Sequence, residues 1–224
     1  ESQPSIDVAY EPRREYFNYL GLSHAMGYLG AVTEDDIANR RYNYYDRIGK
    51  TGLELMYENS IKGQDGIRQI EVDALFREKN ILSMIEPIDG SDLVLTVDAK
   101  AQAKLFEIMQ KNAELYDNPK MAAVILDAKD GGILAMASLP IYDNNIFTTL
   151  LNSEEYSKIT ANKDLPLLNR VISGTYPMGS IFKAVISAAA LEEKLINASF
   201  TVNSTGGVQI GGSFFPDWRS GGHG

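Results

Sequence analysis

The sequence predicts an α+β protein: an irregular first part, then an antiparallel sheet packed by helices. Three observations point there. Residues 1–88 are rich in Tyr, Arg and Glu, and glycine-bearing turns at Gly27-Tyr28-Leu29-Gly30 and Lys62-Gly63-Gln64-Asp65-Gly66 break any long periodicity. Two apolar runs, at 121–127 and 133–138, flank Ala128-Lys129-Asp130-Gly131-Gly132, whose glycines can supply the positive φ of a tight reversal. A helical pattern precedes this hairpin at 99–116, and an Ala-rich one follows from Ser180. The turn cluster Glu86-Pro87-Ile88-Asp89-Gly90-Ser91 divides the chain into residues 1–88 and 89–224.

In the first part, residues 34–43 and 52–60 each read as a short helix, and Ile67-Arg68-Gln69-Ile70-Glu71-Val72 alternates as a strand does. In the second, Asp92-Leu93-Val94-Leu95-Thr96-Val97-Asp98 is a β-prone run. The helix after it carries Ala101, Leu105, Ile108, Met109 and Leu115 near one face. The hairpin strands are apolar rather than strictly alternating, which predicts helices over both faces. Residues 139–175 read as loop, with a short helix at 153–159. Residues 180–195 are apolar and long enough for a buried helix.

Composition excludes several function classes. A formal charge of −9 opposes binding to a phosphate backbone, and the densest basic clusters, Arg13-Arg14 and Arg40-Arg41, are too short to make an electrostatic track. No nucleic-acid partner is expected. The chain has no cysteine and only two histidines, His24 and His223, so neither a disulfide nor a zinc site is expected, and no other metal or cofactor is implied. No stretch approaches the roughly 18 apolar residues that cross a bilayer, and Glu1-Ser2-Gln3-Pro4 does not look like a signal peptide. The expectation is a soluble protein or one shown without its anchor.

The chemistry points to Ser180-Ile181-Phe182-Lys183, the only S-x-x-K in the chain. On a helix, residues three apart share a face at about 5–6 Å between Cβ atoms, so the Lys183 amine can reach the Ser180 hydroxyl. A serine hydroxyl becomes a useful nucleophile when a neighbouring base takes its proton, and a lysine can be that base where burial lowers its pKa. A serine at a helix start also places a developing anion near free backbone N–H groups. Taken singly, Ser is an ordinary N-cap and Lys an ordinary helix residue. The Tyr176-Pro177-Met178-Gly179 turn before the serine and the apolar 185–190 after it favour the catalytic reading, because a charge entering a buried helix is costly.

These residues carry a family resemblance. Pro166-Leu167-Leu168-Asn169-Arg170, then Gly174-Thr175-Tyr176-Pro177-Met178-Gly179-Ser180-Ile181-Phe182-Lys183, and the closing Trp218 and Gly222-His223-Gly224 resemble class B penicillin-binding proteins. Residues 135–145 are similar to the segment after the first hairpin of their transpeptidase domain, and 92–98 to its opening strand. Gly27-Tyr28-Leu29-Gly30, Ile48-Gly49-Lys50-Thr51-Gly52-Leu53-Glu54, Tyr57-Glu58 and Gly63-Gln64-Asp65-Gly66 resemble their pedestal, or dimerisation, region, in its elongation-type form.

The resemblance implies a pedestal at 1–88 and, at 89–224, the first portion of a transpeptidase domain of serine β-lactamase-like fold. It implies that Ser180, with Lys183 as proton acceptor, forms an acyl-enzyme with peptidoglycan stem peptides, and that β-lactams acylate the same serine. It further implies a SEDS-family glycan polymerase and other elongation-complex proteins as partners. Membrane attachment would be through an N-terminal anchor at the extracytoplasmic face of the inner membrane, periplasmic in a Gram-negative organism.

The family also needs S-x-N and a K-T-G after the serine. Neither follows here. The one K-T-G, Lys50-Thr51-Gly52, lies in the pedestal phrase, and it is no phosphate loop either, because Tyr44 stands where the first glycine of such a loop would be. The chain alone is therefore expected to be nearly inactive. Two other readings are an interaction module of the elongation machinery, with the sheet a remnant, and a β-lactam sensor domain.

Overall fold

The computed structural model describes residues 13–17, 20–38, 42–148 and 153–223. Arg40-Arg41 and Gly224 lie outside them. The chain divides into two compact units, residues 1–175 and 176–224.

The first unit is organised around a four-residue helix, α1 (Ser23–Met26). It stops at Gly27, whose φ is +76° and where an added Cβ would stand 1.9 Å from the Thr51 carbonyl oxygen. Gly52 returns the contact: at φ +60°, its Cβ would meet the Ala25 carbonyl oxygen at 2.5 Å. Only glycine tolerates both the conformation and the approach. Asn144 clamps α1 from the other side, its Nδ2 donating to the Ser23 carbonyl at 2.8 Å and to the Gly27 carbonyl, and the Tyr142 hydroxyl donates to Ser23 O at 3.3 Å.

Short elements surround this helix. Strands β1 (Leu29–Ala31) and β2 (Arg47–Gly49) pair antiparallel, with Leu29 opposite Gly49. Helix α2 (Glu34–Ala38) starts with a capping box, in which Asp36 Oδ2 accepts from the Thr33 amide and hydroxyl at 2.8 Å and the Asp36 amide donates to Thr33 Oγ1 at 3.3 Å. Of the helix expected at 34–43, residues 42 and 43 are not helical, and 39–41 lie outside the described residues.

The single helix expected at 52–60 is two, α3 (Gly52–Met56) and α4 (Glu58–Ile61), separated at Tyr57. Each carries a buried carboxylate with its own anchor. Glu54 accepts from the Tyr16 hydroxyl at 3.0 Å and pairs with Arg14 at 2.9 Å, while Glu58 accepts from the Gly49 amide at 2.8 Å. Burial and the Glu54 charge raise the Tyr16 pKa, so the phenol stays a donor.

The alternating run becomes β3 (Ile67–Val72), paired antiparallel with β4 (Glu78–Ile85). Asp73 closes their turn, accepting from the Leu75 and Arg77 amides at 2.8 and 3.0 Å and from Arg77 Nε at 2.8 Å. The strand expected at 92–98 does not form. Its one backbone bond to the next hairpin is Asp98 N to Leu134 O at 2.9 Å, helped by Thr96 Oγ1 to Ile133 O at 2.8 Å, and one bond makes no ladder.

Helix α5 (Ala99–Leu115) is capped by Asp98, which accepts from the Lys100 and Ala101 amides. Its buried face is Gln102, Phe106 and Met109; of the stripe expected at Ala101, Leu105, Ile108, Met109 and Leu115, Met109 is buried and Leu105 packs at its edge, while Ile108 and Leu115 are exposed. Phe106 and Met109 pack on Ala137 and Leu139, with Met121 and Ala123 around them. Each large apolar side chain so buried contributes about 1.5–3 kcal/mol. Gln102, wholly buried, donates to Leu20 O at 2.7 Å and Met136 O at 3.1 Å and accepts from Met136 N at 2.8 Å, so no polar atom of its amide is wasted.

The expected hairpin is present as β5 (Met121–Leu126) and β6 (Ile133–Leu139), antiparallel, with Gly131 at φ +78° in the reversal. Ala137 and Leu139 face α5. Ser138 therefore faces the other way, and its hydroxyl donates to Leu168 O at 3.1 Å and accepts from the Arg170 amide at 3.0 Å, at the start of a further short helix. Helices thus lie over both faces, α7 (Arg170–Ser173) being the second; helix α6 (Ser153–Thr160) occupies the segment predicted at 153–159. Val124, Ile125 and Leu126, at the turn end, stay exposed.

The second unit holds a 3₁₀ turn (Gly179–Phe182), helix α8 (Lys183–Glu192) and a hairpin of β7 (Gly207–Ile210) with β8 (Ser213–Pro216). The hairpin is absent from the sequence reading. Its signal is Gly211-Gly212 between two β-prone runs, with Gly211 at φ +56°, the position a two-residue II′ loop reserves for glycine.

The glycine contact gives a graded expectation. Gly27→Ala should cost more than about 3 kcal/mol, since both backbone and neighbour must move, whereas Gly131→Ala, with the same sign of φ but open space around it, should cost about 1–2 kcal/mol. Urea unfolding followed by circular dichroism measures both, and equal losses would contradict the packing role of Gly27.

Candidate active site

Tyr176-Pro177-Met178 leads into Gly179, which at φ +55° has no atom within 4 Å of an added Cβ. Glycine is needed there for the backbone conformation alone. The turn it starts carries Ser180, and Lys183 is the first residue of α8, its amide donating to the carbonyls of Ser180 and Ile181. Ser180 and Lys183 thus stand three residues apart, the first on the 3₁₀ turn and the second opening α8.

Their surroundings differ from the expectation. The sequence predicts a buried helix over 180–195; α8 ends at Glu192, Lys194 turns to φ +57°, and no residue of α8 is buried. Val185 and Ile186 are 55% and 57% exposed. A helix apolar on every side is ordinarily a core element, and the described residues supply nothing that covers this one. Ser180 and Lys183 are exposed as well.

Lys50-Thr51-Gly52 is committed to packing. Lys50 Nζ sits 3.5 Å from Asp36 Oδ2, Thr51 is the N-cap of α3, and Gly52 makes the backbone contact described above. Tyr44 is exposed and supplies no phosphate cradle. Among the described residues no group of three or more His, Cys, Asp or Glu side chains is placed to hold a metal ion.

The closing segment forms a second polar cluster. Asp217 Oδ2 accepts from the Ser204 hydroxyl and lies 2.9 Å from His223 Nδ1, while Oδ1 accepts from the Arg219 amide at 3.1 Å. The Trp218 ring lies 5.8 Å from that of His223. The serine bonds to the carboxylate and not to the imidazole, so this is a lock on the loop rather than a nucleophile and its base. The Ser204 bond, then the Arg219 amide and His223, hold the Asp217 carboxyl below its usual value. The sequence reading found Trp218 and His223 but neither Ser204 nor Asp217, which only folding joins across 13 residues.

Comparison with known proteins covers most of the chain. Residues 1–95 match the family described as Penicillin-binding Protein dimerisation domain, and residues 121–224 the Penicillin binding protein transpeptidase domain. The chain is similar to the Peptidoglycan D,D-transpeptidase MrdA of Escherichia coli (strain K12), 32% identical over an alignment of 230 residues that covers 99% of this chain and 35% of that protein. It therefore spans about a third of the length of the curated relatives it matches. Among solved structures, it resembles the complex between Penicillin-Binding Protein (PBP2) and MreC from Helicobacter pylori, with a TM-score of 0.75 and 30% identity over 95% of this chain and 38% of that one. A peptidoglycan synthase complex, described as coordinating polymerization and crosslinking, gives a TM-score of 0.67 and 31% identity over 90% of this chain and 37% of that one.

The loop lock has a measurable signature. Because the folded state lowers the Asp217 pKa, its contribution is complete above the ordinary carboxyl value of 3.8 and is lost as pH falls through the depressed one. The Arg219 amide resonance should titrate in that acid window, and Asp217→Asn should remove the transition. An apparent pKa at or above 3.8 would refute it.

Proposed function

Because this chain belongs to the penicillin-binding protein family, we propose that it is the pedestal and opening portion of an elongation-type peptidoglycan D,D-transpeptidase. The pedestal is residues 1–88 and the transpeptidase portion 89–224, a division supported by family matches at 1–95 and 121–224. The observation that carries the reading is S-x-x-K on the turn that opens an apolar helix, within a chain matching both families.

In this reading Lys183 accepts the Ser180 hydroxyl proton as Oγ attacks the penultimate D-Ala carbonyl of a stem peptide. The tetrahedral intermediate collapses with cleavage of the peptide bond, and the leaving amine of the terminal D-Ala takes a proton. An amine from a neighbouring stem peptide then attacks the acyl-serine, restoring the hydroxyl and forming the cross-link. A β-lactam acylates Ser180 by opening its ring amide, and its leaving nitrogen stays tethered. The desolvation that proton transfer requires has to come from sequence that the longer relatives possess and this chain does not span.

The partners are a SEDS-family glycan polymerase and other elongation proteins. The Helicobacter relative, seen with MreC, and the synthase complex support this. The place of action is the extracytoplasmic face of the inner membrane; no helix among the described residues is long and apolar enough to cross a membrane. A non-catalytic interaction module is the second reading, favoured by the exposure of Ser180, Lys183 and α8. The pedestal match disfavours a β-lactam sensor.

A fluorescent penicillin separates these readings. The 224-residue chain should label at a rate at least about 10²–10³ below that of the complete protein, the cost of one missing oxyanion donor. In the complete protein, Ser180→Ala should abolish labelling. Stoichiometric labelling of Ser180 in the short chain would overturn the expected inactivity, and undiminished labelling of the complete Ser180→Ala variant would overturn the catalytic assignment.

A further inference from the structure

Within the first unit, the loop before α7 is held by two side chains of cationic type. Arg170, 4% exposed, donates from Nη1 to Leu165 O at 3.0 Å and from Nη2 to Asp164 O. His24, on α1 and 6% exposed, holds the next carbonyl, with Nε2 2.7 Å from Pro166 O. A carbonyl only accepts, so Nε2 carries the proton and Nδ1 is the free acceptor of the neutral ring, 3.5 Å from Ser23 Oγ. Three consecutive carbonyls are thus shared between one permanent cation and one ionisable ring. The loop they hold contains Leu165 at φ +48°, a conformation that persists in a bulky residue only when its surroundings enforce it.

The groups around His24 allow one charge, not two. Tyr142 meets its ring edge-on at 5.1 Å, and burial pushes that phenol up to about 12, so it is neutral; Tyr28, beyond it, is also raised by burial. Asp164 turns its carboxylate to Lys120 at 3.5 Å, and Glu54 on α3, the helix against α1, is occupied by Arg14 and Tyr16. Among the described residues no carboxylate pairs with Arg170. Strand β6, also packed on α1, brings no titratable group.

We propose that His24 is an acid-opened latch: neutral, it fastens α1 to the loop at 164–168, and protonated at Nδ1 it places a second buried cation beside Arg170 and releases that loop. Burial first, and the Arg170 charge as well, hold the ring below its ordinary value of 6.5 against the raising effect of the Pro166 bond. The opened form therefore binds the proton more readily. The latch is closed above about pH 6.5 and loses its hold as pH falls from there towards the depressed value. It stands apart from the transpeptidase reading, since it involves neither Ser180 nor Lys183.

Hydrogen exchange of the full 224-residue chain tests it. The reporters are the Leu168 amide, bonded to Leu165 O at 3.1 Å, and the Arg170 amide, bonded to Ser138 Oγ at 3.0 Å. Corrected for intrinsic rates, their protection should fall severalfold from pH 7.5 to 5.5, up to the roughly tenfold limit that one linked proton allows. His24→Gln keeps a donor for Pro166 and cannot titrate, so its protection should change less than about twofold over that range. His24→Leu should be poorly protected at both values. A native chain with flat protection, a His24→Gln variant as steep as native, or a His24→Leu variant protected like native would each overturn the latch, as would an imidazole titration at or above 6.5.

Discussion

The first unit depends on the backbone contact between the end of α1 and the start of α3. Gly27 and Gly52 bring two main chains closer than any side chain allows. The approach leaves the carbonyls of Ser23 and Gly27 facing Asn144, which is wholly buried and donates to both. The Ser23 carbonyl also accepts from the Gly27 amide and the Tyr142 hydroxyl, so it is the buried Gly27 carbonyl that depends on Asn144, and orphaning it would cost about 1–3 kcal/mol. From that point the neighbours follow. Tyr142 reaches Ser23, His24 reaches Pro166, Phe147 stacks on Tyr28 at 3.8 Å, and residues far apart in sequence acquire one register.

Polar groups set the positions in this unit, and apolar groups supply most of the energy. The α5–sheet cluster is small, four buried side chains and their fringe. Gln102 ties it to Leu20, and Ser138 ties it to Arg170 on the opposite face. Buried hydrogen-bonded groups add little net stability each but exclude alternatives sharply, because each wrong register leaves several unpaired. The second unit has the opposite character. Its Ser204–Asp217–His223 lock fixes a loop, while α8 carries apolar side chains exposed on all sides. Covering Val185, Ile186 and Leu191 would each bring about 1.5–3 kcal/mol. Nothing among the described residues supplies that cover, and the relatives are about three times as long as this chain.

Much of this was legible in the residues. The hairpin at 121–139 was, because glycines between two apolar runs leave few alternatives. The S-x-x-K turn was, because its spacing alone puts both groups on one helical path. The face of α5 was legible only in part, through Leu105 and Met109: Gln102 belongs to the core for the backbone groups of Leu20 and Met136 it satisfies, and no hydropathy pattern marks a glutamine for that. Residues 92–98 have strand composition but, among the described residues, one backbone bond to the neighbouring hairpin, and a strand exists only through its partner. The exposure of α8 was missed because an apolar helix signals a need for cover without saying which residues provide it. His24 gave no signal, since its meaning comes from Pro166 and Arg170, more than 140 positions away.

Because the α1 contact and its clamp join them, the β1–β2 pair and the α5–hairpin core of the first unit should open together. Native-state hydrogen exchange under rising denaturant measures this directly. The Lys50 amide, bonded to Tyr28 O, and the Met136 amide, bonded to Gln102, should converge on one opening free energy with one denaturant dependence. If Met136 stayed protected while Lys50 exchanged through a separate, less costly opening, the two parts would be independent and the α1 contact would not couple them.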